Sequence, residues 1–250
     1  MAAVIGAERR ELLLGRLEEH GVIRLEEAAA ELGVSTMTVR RDLEALEREG
    51  VVVRVRGGAV ATVKAQSFDE RQAVDDLAKS EIARKAADLV PASGAIALDA
   101  SSTSAHLLAQ VRSVTDLVIA TNSAHNHARA RSVHGARAVL LGGELEPRTD
   151  SFVGPVACAA AALFNYDRFF TSASAADLER GTSETIVEEG QVKREMARAA
   201  RETVLLITSA KLGQHATAAG LPWSSIDIVV TELDPADPLL DPLRPLVELR

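Results

Sequence analysis

Two groups of residues have the types and spacing to do chemistry. The first is Ser35-Thr36-Met37-Thr38-Val39-Arg40-Arg41, followed at a distance by Arg54 and Arg56 beside Gly57-Gly58. Short hydroxyl side chains and arginines at a helix start suit a reader of the DNA major groove. The hydroxyls approach base edges, and the guanidinium forks onto guanine or phosphate. A glycine pair between two basic residues lets a turn come close to a phosphate backbone. The second group is Asp99-Ala100-Ser101-Ser102-Thr103-Ser104, Thr121-Asn122-Ser123, Gly142-Gly143 and Lys211, each following a short apolar run. A strand that ends in small hydroxyl residues just as a helix begins offers free backbone N–H groups and hydroxyls to an anion. Phosphate is the natural candidate, with Lys211 as counter-charge. The same serines and threonines also serve as ordinary helix caps.

Other chemistry lacks its residues. The chain has no GxSxG, HExxH, Walker A or GxGxxG pattern, so four common enzyme routes are without their geometry. His125 and His127 are two apart and point in different directions on a helix, which is poor metal spacing. His106 reads as a packed or surface residue and Glu188-Glu189 as a solvated helical face. The single cysteine, Cys158, can form neither an internal disulfide nor a cysteine zinc site, and sits among alanines as a small hydrophobe. No cofactor and no metal are expected.

Elements must hold these groups in place. Residues 5–63 read as three helices and a hairpin. The first helix, with Leu12, Leu13 and Leu17 and then Val22 and Ile23, ends at His20-Gly21, and Leu25 to Leu32 has helical spacing. Ser35 caps a third helix that runs to about Glu49. Its buried stripe of Val39, Leu43 and Leu46 turns Met37, Thr38, Arg41 and Glu44 outward, with Arg40 on a flank. β-Rich runs around Gly57-Gly58 complete a winged helix-turn-helix. Residues 64–76 read as a polar linker.

From 77 to 250 the pattern alternates. Apolar strand candidates at 95–99, 117–121, 136–141, 168–171, 204–208 and 226–231 are separated mostly by helical stretches, which implies a parallel sheet covered by helices. The tail, 234–250, holds four prolines and reads as surface turns. In a parallel sheet the loops at Asp99, Asn122 and Gly142-Gly143 share the carboxyl edge and surround one small polar molecule.

The 250 residues are 47% hydrophobic and 26% charged, a globular balance that excludes disordered and collagen-like chains. The N-terminus lacks the apolar block of a signal peptide, and the longest small-apolar run, 156–164, is too short to span a bilayer. A cytoplasmic protein without membrane association is expected. A net charge of −8 argues against nucleic acid as a sum, but binding depends on a local face. Residues 52–64 contain three basic side chains and no acid, whereas residues 1–64 contain ten basic and eleven acidic ones. So modest a basic face makes few phosphate contacts per subunit, and tight binding would need a dimer.

The run Leu25-Glu26-Glu27-Ala28-Ala29-Ala30-Glu31-Leu32-Gly33-Val34-Ser35, then Thr38-Val39-Arg40-Arg41-Asp42-Leu43 and Arg54-Val55-Arg56-Gly57-Gly58-Ala59, closely resembles the DeoR-family DNA-binding domain. Arg56 stands where many members carry His. Lys79-x-x-Ile82-Ala83, Leu98-Asp99-x-x-Ser102-Thr103, Thr121-Asn122-Ser123, Leu141-Gly142-Gly143, Val192-Lys193-Arg194-x-Met196 and Lys211-x-Gly213 resemble the DeoR C-terminal sensor domain. The resemblance implies a ribose-5-phosphate-isomerase-like α/β sensor domain behind the winged helix, over 77–250. It implies a bacterial regulator, a repressor of a carbohydrate-metabolism operon. Such a protein binds double-stranded operator DNA as a homo-oligomer, dimer or tetramer, under control of a phosphorylated sugar or related effector. Three segments depart from the family pattern: Thr208-Ser209-Ala210-Lys211 in place of D-x-SK, Thr171-Ser172-Ala173-Ser174-Ala175-Ala176 where glycines are usual, and Asp99-Ala100-Ser101-Ser102-Thr103 without its Gly. The alternative is a sugar-phosphate isomerase on the same fold. It would need an acid and a base near Lys211, and the missing acid at Thr208 argues against it.

Overall fold

The computed structural model describes residues 6–55, 57–61 and 63–250, in two units, Met1–Val63 and Lys64–Arg250. The first unit runs α1 (Gly6–His20), β1 (Val22–Arg24), α2 (Leu25–Leu32), α3 (Thr36–Arg48), β2 (Val52–Val55) and β3 (Gly58–Ala61). Strand β3 lies between β1 and β2, antiparallel to both. Val22 and Ile23, read from the sequence with the first helix, form β1 instead. Gly21 adopts φ +69 and turns the chain, which sends the Ile23 side chain into the core with Leu13, Val39, Leu43 and Leu46. Gly58 is needed at its place because a Cβ there would lie 1.8 Å from the Ile23 carbonyl oxygen. The second glycine of the pair therefore permits the β1–β3 approach, a packing role distinct from the turn. Arg56 lies outside the described residues.

The second unit opens with α4 (Phe68–Ala73) and α5 (Asp76–Ala86), then β4 (Ser93–Leu98), α6 (Ser102–Gln110), β5 (Ser113–Thr121), α7 (Ala124–Ala130) and β6 (His134–Leu140). A hairpin of β7 (Glu144–Glu146) and β8 (Ser151–Val153) leads to α8 (Gly154–Ala161) and β9 (Tyr166–Thr171). Next come β10 (Ala175–Asp177), β11 (Gly181–Glu184), α9 (Val187–Arg198), β12 (Ala200–Leu206), β13 (Ala218–Ala219), β14 (Ile228–Val230) and β15 (Glu248–Leu249). Seven strands form one sheet in the order β15-β14-β12-β9-β4-β5-β6, and every adjacent pair is parallel. Alternation along each strand divides the core between the two faces. Ala97, Phe169, Leu205 and Val229 pack on one side, and Ile96, Leu98, Phe170, Val204 and Leu206 on the other. Both faces are buried, as a parallel sheet requires.

Two sequence readings need correction here. Residues 64–76 are not simply a linker, because 68–73 fold as α4. Ser67 and Glu70 close a capping box, the Glu70 N–H donating to Ser67 Oγ at 3.2 Å and the Ser67 N–H to Glu70 Oε2 at 2.7 Å, while Phe68 is buried. The proline-rich tail is more than surface turns. It buries Leu240 and Leu243 and returns as β15, parallel to β14. Among the described residues no helix is long and apolar enough to cross a membrane.

Candidate functional site

Helix α3 begins at a true cap. Ser35 Oγ accepts the Thr38 N–H at 3.1 Å and sits 2.9 Å from Thr38 Oγ1. Val39, Leu43 and Leu46 are buried, as the periodicity requires, and Asp42 is buried with them. The Asp42 carboxylate accepts a fork from Arg9, Nε at 2.7 Å and Nη2 at 3.0 Å, which fastens α1 to α3. Ser35, Thr36, Met37, Arg40 and Arg41 are exposed and Thr38 is half-buried. Arg40 and Arg41 make no hydrogen bond or ion pair among the described residues. Arg54 differs. Its Nε donates to Glu47 at 2.7 Å and its Nη1 to Glu44 at 2.8 Å, so its charge is matched on the protein and the side chain braces β2 against α3. The same hydrogen bonds hold the Glu47 carboxyl below its ordinary range.

The residues of the second group lie at the carboxyl ends of β12, β4, β5 and β6, with β9 between β12 and β4 in the sheet. Asp99, just past β4, is fully buried, and its carboxylate is consumed by the protein. Oδ1 accepts from the Ser101 N–H at 3.0 Å and Ser104 Oγ at 2.8 Å. Oδ2 accepts from Thr171 Oγ1 at 2.9 Å and the Ser172 N–H at 2.8 Å. Lys193 Nζ stands 3.3 Å from Oδ2. Burial alone would raise this carboxyl, but the Lys193 ammonium and the hydrogen bonds bring it below the usual range. Asp99 therefore organises the edge and keeps no lone pair for a ligand.

Ser101 caps α6 by accepting the Ser104 N–H at 3.1 Å, Ser102 Oγ donates to the Arg71 carbonyl at 3.2 Å, and Thr103 is buried. The capping role of these hydroxyls is thus present. Gly143, at φ +136, is packed so tightly that a Cβ would lie 2.6 Å from the Val153 carbonyl oxygen, whereas Gly142 faces open space.

Lys193, Glu184 and Arg71, which the sequence reading gave no site role of their own, complete the site. Lys193 Nζ donates to Glu184 Oε1 at 2.7 Å and to the Ser172 carbonyl at 2.9 Å. Burial pushes Glu184 up despite Lys193. Arg71 reaches the Ala100 carbonyl at 3.1 Å and the Thr149 carbonyl at 2.7 Å, and the Phe68 ring stacks on His125 at 4.2 Å, so α4 is bolted to the same loops. Lys211 Nζ donates to the Ala173 carbonyl at 2.7 Å. Burial, with Lys193, Lys79 and Arg71 nearby and Glu184 opposing, lowers Lys211 to about 8.

What remains unpaired is informative. In the second unit the buried side-chain oxygens without a partner among the described residues are Gln72 Oε1, Asn122 Oδ1, Asn126 Oδ1, Ser172 Oγ and Thr208 Oγ1. Asn126 Nδ2 donates to the carbonyls of Asp99 at 2.8 Å and Ser101 at 3.1 Å, and Asn122 Nδ2 to that of Phe152 at 3.0 Å. Those carbonyls fix both amides, so each Oδ1 can only accept. Buried oxygens of this kind call for a donor from a ligand or water. Among the described residues no three His, Cys, Asp or Glu side chains group as a metal would need.

Comparison with known proteins agrees with this division. Residues 9–64 match the DeoR-like helix-turn-helix domain and residues 75–233 the DeoR C terminal sensor domain. The chain is 32% identical over 232 residues to the uncharacterized HTH-type transcriptional regulator YgbI of Escherichia coli K12, covering 92% of this chain and 91% of that one. It is 31% identical over 238 residues to the lactose phosphotransferase system repressor of Streptococcus mutans, covering 93% and 94%. It is 29% identical over 237 residues to the HTH-type transcriptional repressor GlcR of Bacillus subtilis, covering 94% and 91%. All three are named as regulators or repressors, which lends the isomerase alternative no support.

Proposed function

The chain belongs to the DeoR family of transcription regulators, and from that premise we propose that it represses a carbohydrate-metabolism operon in the bacterial cytoplasm, its grip on operator DNA set by a phosphorylated sugar or related metabolite. The DNA half of the reading rests on the N-terminal end of α3, where Ser35, Thr36, Met37, Thr38, Arg40 and Arg41 are open to a partner. Arg54 braces that helix, and Arg56 is assigned to the phosphate backbone. With so few open cations per subunit, the operator is repeated and the protein binds it as a homo-oligomer.

The observation that carries the sensing half is the set of buried, unpartnered oxygens on Asn122, Asn126, Ser172 and Thr208 at the strand ends, where Lys211 bonds the carbonyl of Ala173, next to Ser172. Fixed acceptors suit the hydroxyl groups of a sugar, and the ammonium suits a phosphate. Asp99, Ser101, Ser102 and Thr103 shape the loop after β4, with Gly142 and Gly143 in the loop after β6. Occupancy shifts the population of the DNA-competent state.

The test is fluorescence anisotropy of the purified chain on its own upstream region at fixed salt, repeated with a panel of aldose and ketose phosphates. Retention of the fragment, loss of about 1–3 kcal/mol in Arg41→Ala, and a change in affinity with one panel member are expected. Failure to retain any upstream fragment in dilute buffer would overturn the reading. A panel that moves neither DNA affinity nor melting temperature would overturn its sensing half.

A further inference from the structure

Helix α3 segregates its side chains well, with one exception. Val39, Leu43 and Leu46 are buried, yet Met37, the other large apolar residue of the helix, is 54% exposed. It is the second residue of α3 and lies one turn before Arg40 and Arg41 on the outward face. No acidic residue occupies the first turn. The acids further along the helix, Glu44 and Glu47, are drawn to Arg54. The first turn of α3 therefore offers an approaching polyanion an apolar side chain between hydroxyls and unpaired arginines.

We propose that Met37 is a specificity-determining residue that packs against the C5-methyl group of thymine in the operator major groove. The proposal rests on the DNA-reading role of α3. Thymine is the one base that presents a methyl group there, and it is read by apolar contact. Methionine is unbranched and polarisable, so it reaches an irregular apolar surface at low steric cost. It contributes no charge, so its effect is on sequence preference and leaves the salt dependence untouched.

The experiment compares the upstream fragment made with dT against the same fragment made with dU throughout, which lacks only the methyl groups. Wild type, Met37→Ala and Met37→Leu are titrated by fluorescence anisotropy at one salt concentration, and the dT fragment is repeated across a salt series. Wild type is expected to bind the dU fragment about fourfold more weakly for each methyl contacted, which is the value of one buried CH2. Two half-sites with one contact each give about fifteenfold. Met37→Ala is expected to bind both fragments alike, at about the wild-type affinity for dU and with an unchanged salt slope. Met37→Leu is expected to keep most of the discrimination. Equal binding of the dT and dU fragments by wild type, or discrimination by Met37→Ala equal to wild type, overturns the proposal while leaving DNA binding intact. Failure of wild type to retain the dT fragment overturns the DNA-reading role itself, and this assignment with it.

Discussion

Replacing Lys193 with methionine tests the internal account of the sensor domain. The ammonium lies 2.7 Å from Glu184 Oε1, 3.3 Å from Asp99 Oδ2 and 2.9 Å from the Ser172 carbonyl, and the two carboxylate side chains are 2% and 0% exposed. Methionine preserves most of the volume and removes the charge. Asp99 still has four hydrogen-bond donors, but Glu184 keeps only the Ser174 N–H and hydroxyl, at 3.3 and 3.1 Å. Breaking a buried pair from one side costs about 3–5 kcal/mol, because the surviving charge is left desolvated. For a unit of this size that corresponds to about 6–20 °C in melting temperature. The chain has one tryptophan, Trp223, buried in the second unit, so its fluorescence follows this unit alone.

The pH dependence supplies the sign. In the wild type Asp99 is held below its ordinary value, so its stabilisation is present above the unfolded pKa and lost as pH falls through the folded one. Burial already raises Glu184 in the presence of Lys193, and without the ammonium it raises that carboxyl further above its unfolded value, while Asp99 loses one of the causes that lower it. The deficit of the variant is then largest near pH 7 and shrinks as pH falls and the Glu184 carboxyl protonates. Adding Glu184→Gln to Lys193→Met recovers part of the loss, because the most poorly compensated charge is gone. A deficit below about 1 kcal/mol, or one that stays constant between pH 4.5 and 7, would refute the reasoning.

Arg54→Ala should leave the salt slope of DNA binding nearly unchanged because Glu44 and Glu47 already match its charge, whereas Arg41→Ala should reduce the slope by about 0.9 if it neutralises a phosphate. Anisotropy across a salt series separates the two, and equal losses would contradict the bracing role. With Lys211 lowered to about 8, the ammonium is lost as pH rises through that value, so affinity for an anionic effector should fall between pH 7 and 9. Calorimetry on Lys211→Met should show that decline abolished. Gly58→Ala would place a methyl 1.8 Å from the Ile23 carbonyl oxygen, so β1 should detach, with loss of first-unit structure by circular dichroism and of DNA binding.

The legible parts of the chain are those where one local pattern decides the outcome. The stripe of α3 follows from helical spacing, and the strands of the parallel sheet from their apolar runs. Helix α4 is short and mostly polar, and its signal is the Ser67/Glu70 cap rather than a hydrophobic stripe. The tail hides β15 because its prolines indicate turns while Leu240 and Leu243 do the packing. At the candidate site, the cluster at the strand ends was visible as Asp99, Ser101 and Asn122, but not the division of labour within it. Whether Asp99 has a lone pair to spare depends on Thr171, Ser172 and Lys193, residues 72 or more positions away. Lys193 sat inside a motif quoted for its resemblance, and only its burial between two carboxylates reveals what it does.

The acidity of the chain is reconciled with a DNA partner by the same kind of accounting in space. The excess of acids over bases in residues 1–64 counts side chains without regard to where their charges are matched. In the structure Asp42 is held by Arg9, Glu27 by Arg24, Glu31 by Arg16, and Glu44 and Glu47 by Arg54. Apart from Arg9–Asp42, which is largely buried, these pairs lie at exposed or half-exposed positions, where each adds little to stability. Their consequence is for the field. Each matched carboxylate repels a phosphate less than a lone one would, and each matched arginine attracts it less. What a polyanion meets at the start of α3 is then set by Arg40 and Arg41 and by the uncompensated N–H groups of the first turn, both of which favour negative charge. A net negative molecule can in this way carry a locally positive probe, and with so few open cations the proposed operator contact gains strength only if a second subunit repeats it.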